Sequence, residues 1–377
     1  MFWGKQTVLF LSATTYRLII RPICFLFESE RIHLWALTAG RILGRRQLPR
    51  KFLATCWQVA SPVLEQTVAG ICFPNPIGLT AGFDYEADLP QISPALGFGF
   101  HTVGTVTHQA YGGNPPPRLA RLVKSQSLLV NKGLKNSGIK AILPRLKNLP
   151  PHFPVGLSIG KTNLPTIASL EEAIADITAA FRLAENTVIQ IAYYELNISC
   201  PNLLGNTVDF YAPERLAELL WALDALKLSR PWFVKMPLNF SDAEQRALLR
   251  TISESQAHGV IYGNLQKDRS HPALDQAEVA KYPVGNFSGK PTAERSNQLI
   301  RLAYREFGSR LIIIGCGGVF SAEDAYRKIK LGASLVQLAT GLVYRGPQLP
   351  GQINLGLIKL LQKDGYQNIA EAIGREA

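Results

Sequence analysis

The run YYELNISCPN, residues 193–202, delivers Asn197, Ser199, Cys200, Pro201 and Asn202 to the point where an aromatic, alternating segment stops. A thiol, with an ordinary pKa of about 8.5, comes closer to ionising at neutral pH than a serine hydroxyl does. Most free cysteines are small core residues, and Cys24, Cys56 and Cys72 are read that way. Cys200, flanked by amides at a strand end, is instead a candidate catalytic group. Lys235 in FVKMP is a second candidate, because a lysine inside an apolar strand is costly without a negative partner. The turns GCGG (315–318) and ATG (339–341), with NFSGKP (286–291), could bring backbone N–H groups against a phosphate with no Cβ in the way. Together they point to a phosphorylated cofactor.

Elements must hold these groups in place. After Pro74, short β-rich runs alternate with helical patterns. The expected strands are residues 77–82, 100–106, 155–160, 193–199, 232–237, 259–264, 311–318 and 335–341. Stretches such as APERLAELLWALDAL and SAEDAYRKIKLG read as the helical crossovers that parallel strands need. Eight such strands suit an α/β fold of the (β/α)8 barrel type, whose chemistry gathers at the carboxyl ends of the strands. An open doubly wound sheet would show a GxGxxG turn after its first strand, and LTAGFD is not one. In this setting a flavin, whose reduced ring is anionic, would be a fitting partner for Lys235.

Bulk composition narrows the rest. The chain has 377 residues, 47% of them apolar and 18% charged, which suits a sizeable core. Its five cysteines are scattered, with no CxxC pair, so neither a disulfide framework nor a metal site is expected. The net charge is +12, and residues 1–60 hold nine Lys or Arg against Glu28 and Glu30. Within that segment Arg17, Arg21 and Pro22 interrupt the apolar run, which argues against a membrane span. Ile32, Trp35, Ala36, Ala39 and Leu43 form one helical stripe, followed by Arg45 and Arg46, a pattern suited to a helix lying on an anionic lipid surface. The expected division is therefore a membrane-associating helical segment, 1–60, and a barrel, 61–377.

The series NPIGLTAGFD, GFGFHTVGTVT, GNPPPRLARL, NISCPN, NFSGKP, IIIGCGGVFSAEDAYRKIKLGASLVQL and GPQL resembles the dihydroorotate dehydrogenases, from about Tyr16 to the C-terminus. The resemblance implies an FMN barrel that oxidises dihydroorotate to orotate in pyrimidine (UMP) synthesis. Cys200 then matches the base that removes the C5 proton while C6 gives hydride to FMN. Asn197 and Asn202 match amides that grip substrate and flavin, and Asn136 and Asn264 match substrate contacts. The cofactor positions are Ala81, Gly82, Thr105, Asn197, Lys235, Ser288, Gly289, Gly317, Gly318, Thr340 and Gly341. The leader resembles that of the membrane-bound, quinone-using class. It implies a peripheral enzyme on the cytoplasmic face of the cell membrane, or on an organellar inner membrane in a eukaryote.

There are departures. That class uses serine as base, whereas cysteine marks the soluble class, whose acceptors include fumarate. It has a lysine where this chain has Tyr85, and its substrate loop differs from VNKGLKN at Val130 and Lys135. Leu265 follows Asn264 in place of the usual threonine, and Ser158 replaces an asparagine. Lys132 or Lys135 could supply the missing lysine to a substrate carboxylate. Two other readings are a related flavin barrel that reduces uridine in transfer RNA and a non-catalytic flavoprotein. No nucleic acid is expected as a partner, because the positive charge concentrates in the apolar leader.

Overall fold

The computed structural model describes residues 2–203 and 208–377, with side chains from residue 4 onward. All eight expected strands form. They are β1 Ile77–Leu79, β2 Phe100–Val106, β3 Val155–Gly160, β4 Tyr193–Asn197, β5 Trp232–Lys235, β6 Gly259–Tyr262, β7 Ile312–Cys316 and β8 Leu335–Leu338. They close into one parallel barrel in chain order, with β8 pairing back onto β1. Helices such as Leu170–Glu185 and Asp242–Ser253 return the chain between strands. Each opens on a serine capping box, Ser169 with Glu172 and Ser241 with Glu244, which satisfies N–H groups that the first turn leaves free.

The barrel interior is filled in layers, because inward residues recur every second position along a strand. A hairpin, Gln66–Val68 and Ile71–Phe73, closes the amino end. From it Phe73 packs edge-on to Phe100, with Tyr193 and Phe233 completing an aromatic floor. Two residues further along come Thr102 and Glu195, and two beyond Glu195 and Phe233 stand Asn197 and Lys235, paired at the carboxyl rim. A small antiparallel sheet of Leu119–Leu122, Ser127–Val130 and Asn286–Phe287 flanks that rim and carries the loop containing Lys132.

The leader folds as α1 Phe2–Thr15, a π-helical turn Tyr16–Ile20, α2 Arg21–Phe25, α3 Ser29–Arg45 and α4 Gln47–Trp57. Here the sequence expectation needs correction. The helical path continues through Arg17, Arg21 and Pro22 as a π turn and α2, so Gly4–Phe25 is not interrupted and reaches, by length and composition only, what a membrane crossing needs. Its charges find remote carbonyls instead. Lys5 donates to the carbonyls of Thr55 and Gln58 at 2.6 and 2.9 Å, and Arg21 to that of Tyr344 at 3.2 Å. Pro22 sits in the first turn of α2, and the wider π turn lies just before it. The Tyr16 hydroxyl donates to the Val343 carbonyl at 2.8 Å, tying the leader to the barrel, while Trp57 Nε1 donates to Ser12 within the leader. Its outer face is left apolar and exposed at Phe10, Leu18, Leu26, Leu48 and Phe52.

Candidate active site

The end of β4 builds the reactive loop. Asn197 donates to Thr105 Oγ1 at 2.7 Å, and its Oδ1 accepts from the Ser199 N–H and hydroxyl. Asn264, beyond β6, donates to the Ser199 hydroxyl at 2.7 Å and to its carbonyl at 3.0 Å. Ser199 is thus pinned from two strands, and Cys200 follows it into the cavity wall. Burial pushes the Cys200 thiol up to about 11, against weaker downward pulls from the Asn202 N–H and the Lys267 charge. Asn202 is fixed by Asn286, which donates to its Oδ1 at 2.6 Å.

A cavity of about 550 Å³ runs from this point. Cys200, Asn197, Asn202, Asn264 and Lys235 wall one part, together with Ala81, Gly82 and Thr105. The Lys235 ammonium donates to Thr80 Oγ1 at 2.8 Å, and among the described residues no carboxylate lies within ion-pair distance of it. A second part is lined by Ser288, Gly289, Gly317, Gly318, Thr340 and Gly341. There the Ser288 and Thr340 hydroxyls stand 2.7 Å apart. Gly317 and Gly318 have φ of +105° and +71°, a conformation L side chains rarely adopt, and a Cβ at Gly318 would collide with Ala293. The third part opens between the barrel and α3, past Ile32, Ala36, Ala39 and Leu43. Four of the five stripe residues expected on a lipid surface therefore line an apolar mouth instead, while Trp35 is exposed outside it.

The two candidate lysines of the loop go separate ways. Lys135 pairs with Glu30 of α3 at 3.2 Å, beside Arg118 at 3.3 Å from the same carboxylate. Burial alone would raise the Glu30 carboxyl, but the Lys135 hydrogen bond and the charges of Lys135, Arg118 and Lys132 outweigh it and lower its pKa. Lys132 stays in the cavity wall, its ammonium 4.5 Å from the centre of the Tyr85 ring. Burial, only partly offset by Glu30, lowers its pKa to about 7. His33 on α3 packs against Phe83 and Tyr85, and burial, with the Lys132 charge, holds it well below its usual pKa. Asn136 is spent elsewhere. Its amide bonds Thr107, the Leu134 carbonyl and the Gly138 N–H, and it does not line the cavity, so it shapes the loop from behind.

Sequence reasoning missed several groups. A smaller pocket of about 190 Å³ lies on another side of Cys200, with Lys161 and Lys267 in its wall. Lys161 directly follows β3, a placement that could have marked it. Glu195 lies within β4, and an acid in a buried strand is the same signal that drew attention to Lys235. Among the described residues no cluster of His, Cys, Asp or Glu could hold a metal.

A closed parallel barrel with its polar groups at the carboxyl rim defines an α/β-barrel enzyme. The family model of dihydroorotate dehydrogenase matches residues 63–361. Dihydroorotate dehydrogenase (quinone) of Mycolicibacterium smegmatis is 35% identical, over 94% of this chain and 98% of its own. The protein of the same name from Sulfurovum is 36% identical, over 95% and 97%. The crystal structure of the Eimeria tenella DHODH in complex with ferulenol superposes with a TM-score of 0.81 at 25% identity, covering 93% of this chain and 96% of that one. The chain belongs to the dihydroorotate dehydrogenase family.

Proposed function

We propose that this chain oxidises dihydroorotate to orotate, holds FMN as its cofactor and passes the electrons to a quinone at a membrane surface. Relatives matched over nearly their whole length carry that activity in their names. The observation that carries the reading is the single cavity joining Cys200 and Lys235 to an apolar mouth under α3.

The residues present fit FMN. Two hydroxyls and a set of glycine backbones suit a phosphate, and Lys235, which donates to the Thr80 hydroxyl, suits the ring. Bound there, FMN would supply the hydride acceptor for C6 of dihydroorotate. Cys200 would take the C5 proton, held on line by Ser199, which Asn197 and Asn264 fix. Only the thiolate can take that proton, so the thiol must first give its own to solvent, a loss that burial opposes and the Lys267 charge favours. Lys132 is the lysine that would meet the substrate carboxylate, since Lys135 is engaged by Glu30. A quinone, being apolar, would enter past Ile32, Ala36 and Leu43. The exposed apolar residues of α1, α2 and α4, with Arg45 and Arg46, would rest on anionic lipid, which makes the protein peripheral to the membrane.

The test is anaerobic. Dihydroorotate should bleach the bound flavin, and a short-chain quinone should restore the colour faster than fumarate. Flavin that stays oxidised would remove the substrate assignment, and faster recovery with fumarate would remove the acceptor.

A further inference from the structure

One ionisable group in the barrel interior has no part in the reaction as described. Glu195 is fully buried, one layer above the aromatic floor and one below Asn197 and Lys235. Its Oε1 accepts from the Thr102 hydroxyl at 2.8 Å and from Gln337 Nε2 at 2.6 Å. Thr102 in turn lies 2.7 Å from the Tyr193 hydroxyl. Oε2 makes no hydrogen bond among the described residues. An amide or an alkyl side chain would fill the same space without taking a carboxyl out of water, so stability alone does not call for an acid here.

What does face it is a charge. Lys235, one layer further along on β5, is the cation that acts on this carboxyl, and its ammonium donates to Thr80. Among the described residues, Gln337 on β8, Thr102 on β2 and Tyr193 on β4 also surround the pair, and Cys316 Sγ of β7 lies 3.6 Å from Thr80 Oγ1. Burial, with the nearby Glu195 second, holds Tyr193 well above its ordinary pKa, so it stays a phenol. Burial also raises Glu195 itself, against the Lys235 charge and the two donors.

We infer that Glu195 is a positioning charge, a carboxylate fixed behind Lys235 that limits how strongly the lysine favours the reduced, anionic ring of a flavin bound above it. This rests on the proposed FMN site. A lone ammonium beneath the ring would hold electrons there. With a carboxylate behind it the pair acts as a dipole, whose field falls off faster, and the ring can still give its electrons up.

The experiment is a dye-equilibrated redox titration, at neutral pH, of the flavin-loaded protein and its Glu195→Gln variant. Glutamine keeps the shape and can still accept from Thr102 and Gln337. A unit negative charge removed at about 10 Å, with an effective dielectric constant of about 20, should raise the ratio of reduced to oxidised flavin at a given potential on the order of tenfold. Glu195→Ala should move it the same way and serves if the first variant does not fold. An unchanged or lowered ratio in loaded, folded variants would overturn the inference while leaving FMN in place. Wild-type protein that holds no flavin would overturn the cofactor reading and this inference with it. A merely structural acid would change the melting temperature and leave the ratio alone.

Discussion

Replacing Lys132 by methionine should make this protein more stable and a worse enzyme. The side chain is 8% exposed and its ammonium rests on the Tyr85 ring, with no ion pair among the described residues. Burial, first among the causes, lowers its pKa from the ordinary 10.5 to about 7. That drop corresponds to a penalty of about 5 kcal/mol for carrying the charge into the fold. Below about pH 7 the lysine is charged both folded and unfolded, so the whole penalty is present. Between about 7 and 10.5 the folded lysine is neutral while the unfolded one still binds a proton, so stability rises with pH; above 10.5 nothing of the penalty is left. Methionine fills a similar volume and forgoes a cation–π contact of about 1–2 kcal/mol. The net gain should be about 2–4 kcal/mol near pH 7 and mostly gone by about pH 10. Urea unfolding at the two pH values measures it, and the dihydroorotate KM of the same variant should rise. A variant less stable than wild type at pH 7, or a gain indifferent to pH, would refute the reasoning.

Gly318→Ala forces a Cβ into Ala293 from a backbone with φ of +71°. It should cost about 2–4 kcal/mol by strain and overpacking and weaken FMN retention at least tenfold, as read by flavin release on gel filtration. Exchanging Phe10, Leu18 and Phe52 for serine removes exposed apolar surface without touching the barrel. Flotation with vesicles rich in anionic lipid should fall several-fold, while bleaching by dihydroorotate is unchanged. Glu30→Gln takes away the carboxylate shared by Lys135 and Arg118. It should loosen α3, seen as faster amide exchange in that helix, and slow quinone turnover more than flavin reduction.

Legibility in the sequence followed the range of the physics. The barrel was readable because each strand announces itself within a few residues, and the glycines of 315–318 and 339–341 mark where β7 and β8 stop. The placement of Cys200 just past the end of β4, in the cavity wall, was readable for the same reason. What depends on distant partners was not. Nothing local says that Lys135 meets Glu30, or that Arg21 finds the Tyr344 carbonyl and so lets a helix run on through its charges. Asn136 looked free to grip a ligand until Thr107 claimed its amide. Glu195 acquires meaning only from register, which sets it one layer below Lys235.

Cys200 carries the central claim, and rapid mixing of the anaerobic, flavin-loaded protein with dihydroorotate tests it most directly. The wild-type bleaching rate should keep climbing between about pH 7 and pH 9, because burial sets the thiol at about 11. Cys200→Ala should retain its flavin and bleach slower by a factor on the order of 10²–10⁴. Bleaching at the wild-type rate in that variant would show that another group takes the proton.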